Sequence, residues 1–128
     1  MKGLGLSDNQ LSGSLNLEEL PHSIQTVDLE WNSFTGTVCL RHLPPSLLEL
    51  SVRKNTLSGT LDLTCLPAAM TALWLDLNNF EGKTDFCQLP AGLEELDVSY
   101  TKLSGEIVAP SPTTIYKVEH SNVQLIQP

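Results

Sequence analysis

Asn recurs at positions 9, 32, 55 and 78, in steps of 23 residues. The same apolar places are filled around each one. The third copy reads Leu50, Val52, Asn55, Leu57, Gly59, and the second Val27, Leu29, Asn32, Phe34, Gly36. The first has Leu4, Leu6, Leu11 and Gly13, and the fourth Leu73, Leu75, Phe80 and Gly82. A fifth copy keeps Leu96, Val98, Leu103 and Gly105 but carries Thr101 in the Asn place. A fixed period of this size, repeated without a gap, restricts the chain to a solenoid of stacked units.

Within each unit the pattern alternates. In Leu50-Ser51-Val52 two side chains face inward and one outward, as in a short strand. One such strand cannot bury its apolar side alone, so stacked copies must form a parallel sheet over a shared core. An Asn at the same point of every turn can satisfy the backbone groups that a bend leaves unpaired, each worth about 1–3 kcal/mol if buried without a partner. Thr101 has one hydroxyl and replaces only part of that bonding. Gly at 13, 36, 59, 82 and 105 marks a bend of positive φ or close backbone approach. Beyond it Thr37-Val-Cys-Leu40 and Thr60-Leu-Asp-Leu63 alternate again, which predicts a second short strand there. Pro21, Pro44, Pro67 and Pro90 predict an irregular or 3₁₀ turn on the remaining side. Thr84 stands where the other copies have an apolar residue.

With its tail the unit reads Val27-x-Leu29-x-x-Asn32-x-Phe34-x-Gly36-x-Val38-x-Leu40-x-x-Leu43-Pro44-x-x-Leu47. It resembles the leucine-rich repeat family, whose signature is L-x-x-L-x-L-x-x-N-x-L. The N-x-L-S-G segment is similar to plant and protist varieties, kinetoplastid ones included. The L-P-x-x-L of Leu43–Leu47 is similar to bacterial effector repeats, whose units are shorter. The resemblance implies a mostly β, right-handed solenoid. It would have a parallel sheet on its concave face, short second strands and 3₁₀ or irregular turns elsewhere. The expected organisation is five repeats over residues 1–107 and a degenerate capping repeat over 108–128, where Pro110 and Pro112 interrupt the period. The first coil lacks a comparable cap, so Leu4, Leu6 and Leu11 are expected to expose a sheet edge open to self-association.

The outward positions are where function can sit. In order they are Gly5, Ser7, Asp8; Asp28, Glu30, Trp31; Ser51, Arg53, Lys54; Trp74, Asp76, Leu77; Asp97, Ser99, Tyr100. Trp31, Lys54, Leu77 and Tyr100 are 23 residues apart and are expected to form a column, with Trp74 beside them. Aromatic and Arg residues dominate protein-binding hot spots. The expected contact residues are therefore Trp31, Arg53, Lys54, Trp74, Leu77 and Tyr100. The plainer alternative is that the charges pair with one another while the aromatics cover strand backbone.

Other functions find less support. A formal charge of −8 argues against nucleic acid and against anionic membranes. No apolar run reaches the roughly 20 residues of a membrane-spanning helix. His22, His42 and His120 fall on turns or in the last coil, and Cys39, Cys65 and Cys87 occupy different places of the unit. No metal site, cofactor or catalytic dyad is therefore expected. The cysteines are expected as small semi-buried thiols, with a Cys65–Cys87 disulfide the lesser alternative. The odd cysteine count and the absence of a leader-like start suggest the cytoplasm. Because Leu4 already lies inside a repeat, the chain also reads as a piece of a longer protein. The sequence thus points to a non-catalytic scaffold that binds a protein through its sheet face. The rivals are a segment of a structural or cell-surface repeat protein, and the recognition part of a bacterial-type ubiquitin-ligase effector.

Overall fold

The computed structural model describes residues 3–7, 9–108 and 113–126. Asp8, Pro110 and Pro112 lie outside them. Within the described residues every regular element is a strand, and the strands form two six-stranded parallel sheets. The first sheet contains β1 (Gly3–Gly5), β3 (Thr26–Asp28), β5 (Glu49–Ser51), β7 (Ala72–Trp74), β9 (Glu95–Asp97) and β11 (Ile115–Lys117). The second contains β2 (Ser12–Gly13), β4 (Ser33–Gly36), β6 (Thr56–Gly59), β8 (Asn79–Lys83), β10 (Lys102–Val108) and β12 (Asn122–Ile126). Each turn of chain lays one strand in each sheet, which gives a β-solenoid.

The inward residues stack in register. Leu4, Val27, Leu50, Leu73 and Leu96 pair in sequence, and the last three have no solvent exposure. The second layer of the core comes from Phe34, Leu57, Phe80 and Leu103. Opposite them, Pro21, Pro44, Pro67 and Pro90 each open a single tight turn. The amides of Ile24, Leu47, Met70 and Leu93 donate back to the proline carbonyls at 3.1–3.2 Å.

Two features differ from expectation. The second strands lie on and before the Gly, at Ser33–Gly36 and Thr56–Gly59, and the alternating stretches 37–40 and 60–63 are not strands. The second sheet is also staggered: Thr35 pairs with Thr56 and Ser58 with Asn79, a step of 21, against 23 in the first sheet. The last turn is three residues shorter in both, since Glu95 pairs with Ile115 and Ser104 with Asn122. The first coil forms the outer strand of each sheet and leaves Leu6 and Leu11 exposed.

The Asn side chains bond in one repeated way. Asn55 Nδ2 donates to the carbonyls of Val52 and Arg53 in its own turn and of Leu29 in the turn before, while its Oδ1 accepts from the Phe34 amide. Asn32 and Asn78 repeat all four bonds on the equivalent groups. Thr101 bonds within its own turn, donating to Val98 and accepting from the Leu103 amide, and Ser121 does the same with Val118 and Val123. Thr84 is buried at 3% exposure with a hydroxyl that has no partner.

Two gaps in the repeat should therefore respond to substitution. Thr101→Asn restores the bonds to the preceding turn and is expected to raise unfolding free energy by about 0.5–1.5 kcal/mol. Thr84→Val removes an unpaired buried hydroxyl and is expected to add about 1 kcal/mol. Urea melts of both variants measure this, and no gain for either would mean the neighbouring coils already compensate.

Candidate functional site

The expected column forms, but not on a strand. Trp31, Lys54, Leu77 and Tyr100 sit three residues past the ends of β3, β5, β7 and β9, at the turn out of the first sheet. All four have left-handed backbone, with φ between 54° and 58°, and His120 joins them at 55°. That conformation costs a non-Gly residue roughly 1–2 kcal/mol. It is held from both sides. The amides of Trp31, Lys54 and Leu77 donate to Arg53, Asp76 and Ser99 of the next turn, and the following Asn grips the carbonyl just before. Lys54 Nζ lies 5.7 Å from the Trp31 ring centroid, and Tyr100 stacks on His120 at 4.5 Å. Trp31 and Tyr100 remain half-exposed.

Arg53 and Trp74 stand apart from this column, on the outer face of the first sheet. Trp74 Nε1 donates to Glu95 Oε2, which fixes the indole, and Lys117 Nζ approaches the same carboxylate at 3.8 Å. A hollow of about 590 Å³ is lined by Trp74 with Asp28, Glu30, Glu49, Ser51, Arg53 and Glu95. A second, of about 530 Å³, shares Trp74, Glu49 and Glu95. The six expected contact residues thus form two neighbouring rows, not one patch.

The outer face is less open than a solvent-facing row was expected to be. Ser51, Asp76, Asp97 and Ser99 are all buried. Longer neighbours hold them: Ser51 Oγ donates to Glu30, and the Arg53 guanidinium reaches Asp76 at 3.1 Å. For Arg53, mutual charge pairing is what occurs. Burial, together with the nearby Asp97 carboxylate, pushes the Asp76 carboxyl above its usual range, and Arg53 opposes this only in part.

Counting in steps of 23 overlooked two groupings. His120 follows Tyr100 by 20, so the shortened last turn carries it into the column. Glu18 of the first coil lies beside Cys39 and His42, with ligand atoms within 4.8 Å of one another. Cys39-x-x-His42 was the available signal, but Glu18 aligns with Arg41 when counted by 23. All three side chains are exposed. Contrary to the semi-buried expectation, Cys39, Cys65 and Cys87 are exposed as well, and none is in a disulfide. Hydrogen bonding to Asp85 and that carboxylate's charge raise the Cys87 thiol pKa, which disfavours the reactive thiolate.

No family profile matches this sequence, and no curated protein matches it either. Among solved structures the fold is similar to the crystal structure of a pollen receptor kinase 3, at a TM-score of 0.78 and 26% identity. The alignment covers 96% of this chain and 63% of the other, so the chain spans less than two thirds of that protein's resolved length. The architecture is that of a leucine-rich repeat solenoid.

Asp76 gives a pH test. Its folded pKa lies above its ordinary value, so its contribution to stability is full below about pH 3.8 and is lost as pH rises through the folded pKa. Asp76→Asn removes that loss. In thermal melts from about pH 3 to 7 the wild type should lose ground to the variant as pH rises. Parallel curves would show that Arg53 fully offsets the burial.

Proposed function

We propose that this chain is a non-catalytic scaffold that binds a protein on the outer face of its first sheet and the adjoining turn column. The observation that carries the reading is the pair of rows just described. Trp74 and Arg53 stand on the sheet face, and Trp31, Lys54, Leu77 and Tyr100 at its rim, all anchored to backbone fixed by two parallel sheets. Large side chains on a rigid base lose little freedom on binding, which favours affinity. The likeness to a receptor kinase structure supports recognition as the role. It also supports a cell-surface or extracellular setting over the cytoplasm suggested by the sequence.

The two rows can be separated by experiment. Trp74→Ala is expected to weaken partner binding at least about ten-fold, and Trp31→Ala by less, because Trp31 lies at the more exposed rim. The readout is capture of the partner from the source cell, with circular dichroism to show that each variant keeps its fold. Unchanged capture by both would move the contact to another side of the solenoid.

A further inference from the structure

The two hollows beside Trp74 are acidic. Asp28, Glu30, Glu49 and Glu95 line the first, and Glu49, Glu94 and Glu95 the second. The cations nearest them are already engaged: Arg53 lies on buried Asp76, and Lys117 lies by Glu95. Asp28, Glu30 and Glu49 have no ion-pair partner among the described residues. Hydrogen bonding between the Trp74 indole N–H and the Glu95 carboxylate holds the ring in place and brings negative charge against its edge. A ring so placed attracts a cation to its face, and surrounding carboxylates add to that attraction. Lys117 gives a precedent within the fold, an ammonium drawn to the carboxylate that holds the indole.

We propose that the Trp74 site is a receptor for a basic side chain, an arginine or lysine carried on an extended segment of the partner protein. The carboxylates on either side of Trp74 then accept hydrogen bonds from the guanidinium or ammonium while its carbon stem lies on the indole. A net charge of −8 on the chain steers such a segment toward it. The inference rests on the proposed binding role and specifies the chemistry of what is bound.

The test uses a fluorescein-labelled peptide of alternating Arg and Gly, beside a Ser-Gly peptide of equal length. Anisotropy should show the Arg peptide binding and the Ser peptide not, with affinity falling as salt rises. Trp74→Ala should weaken binding about ten-fold, and Trp74→Phe less, since Phe keeps an aromatic face. Glu30→Gln with Glu49→Gln should also weaken it several-fold. Glu18→Gln with Glu19→Gln removes the same charge elsewhere and should change it less than about two-fold. A Trp31→Phe background leaves Trp74 as the sole indole, whose emission should shift when the peptide binds. Equal binding of the two peptides would overturn the proposal. So would equal losses in the two Glu pairs, which would show a general charge effect only. If the Arg peptide fails to bind while Trp74→Ala still abolishes partner capture, the basic-ligand inference falls and the scaffold reading stands.

Discussion

The structure depends on one side chain bonding the same way in three successive turns. Each of Asn32, Asn55 and Asn78 binds two carbonyls of its own turn, and one carbonyl and one amide of the turn before. A side-chain amide offers two donor hydrogens and an acceptor oxygen, and these contacts engage both hydrogens and the oxygen. The bonds close the corner between the sheets. They let Leu29, Val52 and Leu75 point into the core while their carbonyls face a buried side chain instead of water. At the same corner the preceding residue is left-handed, before Thr101 and Ser121 as well as before each Asn. The display of Trp31, Lys54, Leu77 and Tyr100 follows from the corner itself, whose amides bond to the next turn whether Asn or Thr comes next.

That link explains what the sequence revealed and what it concealed. Inward Leu50, Leu73 and Leu96 were legible because alternation and period agree on them. Positive φ at Gly36, Gly59 and Gly105 was legible because only Gly tolerates it without strain. The left-handed turn at Trp31 was not, since Trp, Lys, Leu and Tyr carry no preference for it. Only the tertiary bonds impose that conformation. The second strand was misplaced for a related reason. Thr37-Val-Cys-Leu40 alternates to fill the core, yet its backbone takes no ladder bonds there, so apolar spacing without sheet pairing looked like a strand.

The site was legible residue by residue but not as an arrangement. Counting by 23 locates the backbones of the first five strands of the first sheet, but long side chains reach diagonally. Trp74 meets Glu95 and Ser51 meets Glu30, both across 21 residues. A one-dimensional period cannot show that lean. It also cannot show that Asp76 is covered, because burial there comes from Arg53 of the neighbouring turn lying over a short carboxylate. Hence Arg53, which looked like a contact residue, is bound largely to its own chain, while Glu30 and Glu49 have no ion-pair partner among the described residues.

A stack of turns touches only its neighbours, so its stability is a sum of local interfaces and its weakest interface sets where it opens. Toward the last turns the Asn bonding between turns is missing, and the five-residue pairing of β10 with β12 takes its place. Asn gives way to Thr101 and then to Ser121, both bonded within their own turn, and Thr84 of the fourth turn has a buried hydroxyl without a partner. Trp74, Glu95 and Lys117 join the fourth, fifth and sixth turns through one carboxylate. A ligand held by Trp74 and Glu95 binds only while those turns are in register. Binding must then stabilise the docking of those turns, because a ligand that requires two turns to be docked adds its binding free energy to their interface.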